Sequence, residues 1–260
     1  MNNKLIGLAI GTVLLIILLF VFNPMGYNDP AERTVVTQMD GEQFTQFQGG
    51  YFYEGFFAKS QTYPNQLSVV YSDSIFDGEL QLKENSVEIG TVKIRFNDAT
   101  EAEASGIVQF ILPTNNKEML AIHNAHRSPE ALVQRRLAPY TKECLQSSSQ
   151  LMSSEMHYSG GRAQMTQDYL DQLRNGTYIL SIKEGTVFDS TDNSKKRMYS
   201  VEIKKDKKDN LLRKFSSIKE YAVLLGDAQI TNVEYSPQVK EMLKKKIDAA
   251  TMASVSKQRL

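Results

Sequence analysis

Three histidines are the side chains of this chain best suited to binding a metal. His123 and His126 are spaced so that they can share one face of a helix, which is compatible with a metal site. Neither has a cluster of Cys, Asp or Glu near it in sequence to complete a ligand set. Two histidines in a polar helix are more often surface residues. The spacing therefore leaves a metal site as the less favoured of two interpretations.

Nucleophilic chemistry finds equally little support. The single cysteine, Cys144, falls on the apolar side of a helical pattern, which favours a buried structural thiol. Ser147–Ser149 is a polar run on a helix face. The sequence has no G-x-S-x-G, H-E-x-x-H or P-loop pattern. We therefore predict a protein that is not an enzyme and that has no cofactor and no catalytic or metal-binding residues.

A basic run in the second half is a candidate binding surface. Lys195 to Lys214 contains nine Lys or Arg against three acidic residues, a local charge of about +6, although the whole chain has a net charge of zero and gives no indication of nucleic-acid binding. One interpretation is a solvated hairpin. The other is contact with anionic headgroups or an acidic partner, at about 1 kcal/mol per cation near the surface. The candidate residues are Lys195, Lys196, Arg197, Lys204, Lys205, Lys207 and Lys208.

Aromatic residues are concentrated between Gly49 and Pro64. This stretch holds six of the 24 Phe and Tyr side chains, together with glycines and a proline typical of turns. The rings can fill the core of a hairpin, or they can lie in a membrane interface, where aromatic side chains are enriched. Because neighbours in a strand point to opposite faces, we predict a mixture, with one face in the core and the tip in the interface. The six are Tyr51, Phe52, Tyr53, Phe56, Phe57 and Tyr63.

The N-terminal sequence predicts a transmembrane helix. Leu5–Phe22 is eighteen residues without a charge or a proline, and as a helix it spans about 27 Å. A cleavable signal peptide is disfavoured because its apolar region is shorter and has a small-residue cleavage site. A buried helix is disfavoured because the run is apolar on every face. The predicted span is represented by Leu5, Leu8, Ile10, Val13, Leu14, Ile16, Leu18, Phe20 and Phe22.

Alternating apolar residues predict strands in the first half of the chain. Glu32–Met39, Leu67–Tyr71 and Ala104–Leu112 have this pattern. Ser86–Phe96 changes parity at Gly90, which predicts a bulge. Together these segments predict an antiparallel, half-buried sheet.

The second half changes to a helical period. Ser128-Pro129-Glu130 is a helix start, and Asn175-Gly176 is a helix stop. Strands are predicted at Thr177–Ile182, around Met198–Ile203 and at Ala228–Tyr235. A last helix begins after Ser236-Pro237 and is still running at the end of the sequence. It carries an apolar stripe suited to oligomerisation, at Val239, Leu243, Ile247 and Ala250.

The order of these parts resembles the SPFH or band 7 superfamily, which includes the stomatins, prohibitins, flotillins and the bacterial HflK/HflC proteins. The resemblance covers about Asn28 to Lys257. It departs from the family pattern where Ala31 replaces a glycine and where no proline precedes Gly55. It rests on the order of segments that are similar to the family's first strand, membrane-side hairpin, paired strands, helix-then-strand return and closing helix, namely ERTVV, GFF with YP, SVEIGTVKIRF with ASGIVQFIL, QMTQDYLDQLRNGTYIL and QITNVEYSPQVKEMLKKKIDAATMA.

The resemblance implies an α+β fold with an N-terminal transmembrane helix, two small mixed α/β modules built on antiparallel sheets, and the start of a C-terminal coiled-coil helix. The implied divisions are an anchor at 1–27, a β-rich module at 28–112, an α/β module at 113–235 with an inserted basic hairpin at about 188–215, and a helix at 236–260.

The function implied is a single-pass membrane scaffold. Such a scaffold forms a large homo-oligomeric ring or cage, contacts membrane lipids, organises a membrane microdomain and encloses or regulates a membrane protease or another membrane protein. The weak charge bias around the span favours a cytoplasmic N-terminus with the bulk on the opposite side. The alternative is a monomeric, membrane-anchored adaptor or inhibitor that binds through the basic hairpin.

Overall fold

The computed structural model describes residues 11–13, 24–73, 82–83, 85–189 and 194–258. These residues form an α+β fold with four sheets and a set of helices packed on the largest of them. One core runs through the fold, from Val35 and Tyr63 in the first quarter to Leu243 in the last helix. The largest sheet, the β3-β2-β5 sheet and most of the helices therefore share a single apolar interior.

Two small sheets are built from residues 25–64. In one, β1 pairs with β4, and in the other β2 lies between β3 and β5. The four central residues of β2 are all buried, so this strand is covered on both faces. The strands are β1 (Met25–Asn28), β2 (Glu32–Thr37), β3 (Gln43–Gln46), β4 (Gly50–Tyr53) and β5 (Lys59–Pro64).

The largest sheet has the order β13-β10-β6-β8-β7, and β9 also pairs with β10. Along β10, every second residue from Ala102 to Phe110 is buried, which is the alternation of a strand with one face on the core. Its strands are β6 (Gln66–Ser72), β7 (Leu82–Lys83), β8 (Ser86–Gly90), β9 (Val92–Arg95), β10 (Glu101–Ile111) and β13 (Leu224–Tyr235).

The bulge predicted at Gly90 is wrong, because the chain divides there into two strands. β8 ends at Gly90 and pairs in parallel with β6, whereas β9 begins at Val92 and pairs antiparallel with β10. The change of parity in the sequence is therefore the change from one pairing partner to another. The expectation of a wholly antiparallel sheet fails at the same place.

Six α-helices are assigned among the residues that follow the strands of the first half. Ser128 caps the second of them as predicted, because its side chain accepts a hydrogen bond from the Ala131 N–H at 3.2 Å. Two turns of π-helix, Val133–Leu137 and His157–Gly161, lead into later helices. The helices are α1 (Asn116–His126), α2 (Pro129–Leu132), α3 (Ala138–Ser149), α4 (Ser154–Met156), α5 (Arg162–Asn175) and α6 (Pro237–Gln258).

A two-stranded ribbon contains the first part of the basic run. β11 (Leu180–Asp189) pairs with β12 (Ser194–Ile203), and both strands are longer than the sequence pattern indicated. The register runs from Leu180 opposite Ile203 to Asp189 opposite Ser194. Neither strand joins another sheet in the part of the chain that the structure describes.

The fold predicted from sequence is wrong in its N-terminal part. No helix in the described ranges is long and apolar enough to cross a membrane, so the predicted transmembrane helix, and the single-pass topology drawn from it, are corrected. Of the nine residues that represent the predicted span, one, Val13, falls within the described residues, where it is exposed in a helical segment at residues 11–13. The others, Leu5, Leu8, Ile10, Leu14, Ile16, Leu18, Phe20 and Phe22, lie outside them.

The Tyr140 hydroxyl ties α3 to α5, and its removal should be measurable. It donates to the carbonyl oxygens of Gln172 (2.9 Å) and Leu173 (3.0 Å) and lies 2.9 Å from the Ser216 Oγ. We expect Tyr140→Phe to lower the free energy of unfolding by about 1–3 kcal/mol, because buried acceptors lose their donor. Urea unfolding measures this.

Tyr51→Phe is the matched control, since its side chain is 80% exposed. It should change stability by less than about 0.5 kcal/mol. Equal stability of the two variants would contradict the assigned role of the Tyr140 hydroxyl.

Candidate functional site

One face of the β1–β4 sheet and two turns, between β2 and β3 and between β4 and β5, expose large apolar side chains. We call this set the aromatic surface. Tyr51 is 80% exposed, Met39 79% and Phe57 59%, which is unusual for residues that favour burial. Its members are Met25, Tyr27, Met39, Tyr51, Tyr53, Phe56 and Phe57.

Strand register explains why four of these side chains share a face. Met25 pairs with Tyr53 and Tyr27 pairs with Tyr51, and residues opposite each other or two apart lie on the same side of a sheet. The Tyr27 and Tyr51 rings meet edge to face, with centroids 5.2 Å apart. Phe52, between the two exposed tyrosines, points to the other side and is half-buried.

A tight turn presents the two phenylalanines. Gly55 has φ +98° and Phe57 has φ +61°, so the backbone twice adopts the left-handed conformation. The N–H groups of Glu54 and Gly55 donate to the Pro24 carbonyl at 2.8 and 3.3 Å, which holds the turn against the start of β1. Phe56 lies beside Tyr53, with ring centroids 6.5 Å apart. The turn therefore extends the aromatic surface beyond the strands.

Tyr63, which the sequence analysis grouped with these rings, lies in the core instead. It is fully buried, and its hydroxyl is 3.0 Å from the His123 Nδ1. Burial raises the pKa of this phenol well above its usual range. The stretch from Gly49 to Pro64 thus contains one buried tyrosine, a half-buried Phe52 and four exposed rings.

Carboxylates are more frequent than cations beside the aromatic surface. Asp40 lines a shallow cavity of about 520 Å³ with Met39, Tyr53 and Phe56. Asp29 follows β1, and Glu42 is held near Asp40 through a hydrogen bond from its N–H to the Asp40 Oδ1 at 3.0 Å. All three carboxylates belong to exposed residues. The rim is therefore acidic, and Lys59 is the cation of the adjoining strand β5.

The three histidines do not form a metal centre in the described part of the chain, where no group of three or more His, Cys, Asp or Glu residues is arranged to hold an ion. His123 bonds Tyr63. His126 is buried against the Tyr221 ring at 5.3 Å between centroids, and burial lowers its pKa. His157 Nδ1 lies 2.8 Å from the Tyr235 hydroxyl. Each histidine therefore packs with a different tyrosine.

Cys144 and the serine run lie where α3 packs on the sheet. The Cys144 side chain is fully buried, and burial raises the pKa of its thiol far above the usual range, so it is not a thiolate at neutral pH. Ser148 donates to the Cys144 carbonyl at 2.8 Å, and Ser149 donates to the Arg95 carbonyl at 3.1 Å. These groups serve packing.

The residues of the basic run lie at two places in the fold. Lys195, Lys196 and Arg197 belong to β12, and only their backbone is described. Lys204, Lys205, Lys207 and Lys208 are exposed around a turn in which Asp206 accepts the N–H groups of Lys208 (2.7 Å) and Asn210 (2.9 Å). The Asn210 side-chain amide, which donates to the Asp206 Oδ2 at 3.0 Å, lowers the pKa of the Asp206 carboxyl together with those backbone hydrogen bonds. Four lysines therefore surround a preorganised turn.

The stripe on α6 contacts the protein's own core at its start. Leu243 is fully buried and Val239 packs against the same core. Ile247 is half-buried, while Met242 and Met252 are exposed. The side chain of Ala250 lies outside the described residues. The first two residues of the stripe are therefore covered within one copy, and Ile247 is its next described position.

Sequence reasoning missed three members of the aromatic surface, Met25, Tyr27 and Met39. The i, i+2 spacing of Met25 and Tyr27 in a short strand was the available signal. Met39 lies in a turn, and only the folded chain brings it beside Phe56.

Comparison with known proteins adds no assignment. No protein-family model matches the chain, and no curated protein matches it.

Proposed function

We propose that this protein is a non-catalytic scaffold that rests on a membrane interface through the aromatic surface and associates with further copies of itself. The observation that carries the proposal is the exposed set of Tyr, Phe and Met side chains on β1, β4 and the adjoining turns. The resemblance of the sequence to the SPFH superfamily is consistent with this class of function.

The composition of the surface suits a lipid interface. Tyrosine has an apolar ring and a polar hydroxyl, so it is stable at the level of the headgroups, and phenylalanine contributes apolar area just below them. Five rings and two methionines project from one sheet face and two turns, which allows them to enter an interface together. Exposure of these apolar side chains to water has a free-energy cost, which their insertion into the lipid interface would remove.

Self-association is supported by apolar side chains exposed on parts of the chain outside the aromatic surface. Ile182, Phe215 and Leu224 are each at least 63% exposed, and Met252 on α6 is 73% exposed. Contact between copies would remove these side chains from water, which is favourable for apolar surface. Copies confined to one membrane plane have a high local concentration, so weak contacts of this type add up.

Vesicle flotation of the full-length protein tests the membrane part of the proposal. We expect it to float with phosphatidylcholine vesicles, and we expect no tighter binding when a fifth of the lipid is phosphatidylserine, because Asp29, Asp40 and Glu42 repel added negative charge. If all the protein sediments and none floats with vesicles of either composition, the proposal is contradicted. Binding that required phosphatidylserine would move the interface to the basic run.

A monomeric adaptor that binds through the basic run is the second candidate. The exposed lysines around the Asp206 turn favour it, because a preorganised turn loses little conformational freedom on binding an acidic partner. Molecular mass separates the two candidates, since only the scaffold requires many copies.

A further inference from the structure

A polar pocket of about 490 Å³ lies between the ends of β2 and β5 and the C-terminal turn of α1. Every side chain that lines it is polar, two are cations and none is a carboxylate. Such a lining favours an anion with several acceptor oxygens. The residues are Thr37, Gln43, Lys59, Ser60, Gln61, His123, Asn124 and Arg127.

Tyr63 fixes which nitrogen of His123 carries a proton. Burial raises the pKa of the Tyr63 phenol, so it stays protonated, and the His123 Nδ1 at 3.0 Å is the one acceptor that the described residues offer this fully buried hydroxyl. Burial and the nearby Arg127 lower the pKa of His123, so the ring is neutral near pH 7. The proton of a neutral ring whose Nδ1 accepts must lie on Nε2. His123 therefore offers the pocket an N–H donor.

Arg127 occupies a position that usually holds glycine or asparagine. It caps α1 in the left-handed conformation, with φ +66°, and its N–H donates to the His123 carbonyl at 2.7 Å. A long charged side chain stands at this position even though its backbone conformation is strained. The C-terminal end of a helix attracts cations and repels anions. Arg127 and Lys59 must therefore supply the attraction for an anionic ligand.

The pocket adjoins the aromatic surface. Lys59 pairs with Thr37 in the register of β2 and β5. It follows Phe57 by two residues, and Thr37 precedes Met39 by two residues, so each is within about 7 Å of the aromatic surface along the chain. A lipid headgroup at the level of the exposed rings is therefore within reach of the pocket.

We propose that this pocket binds the phosphomonoester of a lipid headgroup, with Lys59 and Arg127 pairing with the phosphate and the His123 Nε2–H donating to one of its oxygens. The inference rests on the proposed function, since it names the lipid chemistry recognised beside the aromatic surface. The proposal also predicts a preference for this phosphomonoester over other anionic lipids, because the acidic rim repels negative charge in general.

The test compares three vesicle compositions with the full-length protein. The first is phosphatidylcholine alone, the second contains a tenth of phosphatidic acid, and the third contains phosphatidylserine at matched charge. We expect phosphatidic acid to strengthen binding about thirtyfold through two cations, and phosphatidylserine to leave it unchanged. Lys59→Gln with Arg127→Gln should abolish the difference. Lys117→Gln with Arg135→Gln, which removes the same charge from exposed positions outside the pocket, should retain it.

Two outcomes overturn the proposal without affecting the proposed function. They are equal binding to the three compositions by the wild-type protein, and a preference for phosphatidic acid that the Lys59/Arg127 variant keeps. If no vesicle binds at all, the proposed function fails, and glycerol 3-phosphate decides the pocket separately through the NMR signals of His123. A shift lost in the Lys59/Arg127 variant would show a site for a soluble phosphate ester, and the absence of a shift would exclude a phosphate site.

Discussion

Replacing Phe56 with Ser and Phe57 with Asn should weaken vesicle binding about a hundredfold. Burying a phenylalanine side chain contributes about 1.5–3 kcal/mol, and 1.4 kcal/mol corresponds to a factor of ten in affinity. Asparagine at position 57 tolerates the left-handed φ of +61° and so keeps the turn. Both side chains are exposed, so stability should change little. Binding isotherms on phosphatidylcholine vesicles, with urea unfolding in parallel, measure the two effects.

Met156→Ser is the matched control, because Met156 is 51% exposed but lies on α4, outside the aromatic surface and apart from the side chains assigned to self-association. It should bind vesicles as the wild-type protein does. If the Phe56/Phe57 variant binds equally well while remaining folded, the aromatic surface is not the membrane contact.

Acid should destabilise the protein by about 3 kcal/mol through His157 alone. Burial, with a contribution from Arg162, lowers the pKa of His157 to about 4, from 6.5 in an unfolded chain. Between these values the unfolded state binds a proton that the folded state does not, so stability present above pH 6.5 is lost as the pH falls towards 4. Each pKa unit corresponds to about 1.4 kcal/mol.

His157→Gln removes this titration and should flatten the dependence of unfolding free energy on pH between 4 and 6.5. His123 and His126 also have lowered pKa values, so part of the slope remains in the variant. Asp98 and Asp171 have lowered pKa values too, and they contribute below this window. An identical slope in the variant and the wild-type protein would show that His157 is not buried between Phe96 and Tyr235 as described.

Local signals predicted much of the secondary structure. The Ser128 cap, the helix end at Gly176 and the alternation through β10 each depend on residues close in sequence, and the structure confirms them. Strand pairing depends on distant residues, and this is where prediction failed. The change of parity at Gly90 marks a change of partner, which a single strand pattern cannot show.

The candidate surface was predictable only in part for the same reason. Tyr51 and Tyr63 belong to one aromatic stretch, yet the first is exposed and the second is fully buried, because β4 and β5 join different sheets. Met25 and Tyr27 reach the surface only through the pairing of β1 with β4. The length of β12 was underestimated because its start, Lys195–Arg197, is polar and has no apolar alternation.

The mass of the full-length protein in mild detergent, measured by light scattering, tests the scaffold most directly. One copy has a mass of 29.4 kDa. We expect a particle of many copies, visible as a closed assembly in negative-stain images, because a scaffold acts through repeated contacts in one plane. A monomer or dimer across several detergents would contradict it and would leave the lysines around the Asp206 turn as the surface on which to seek a partner.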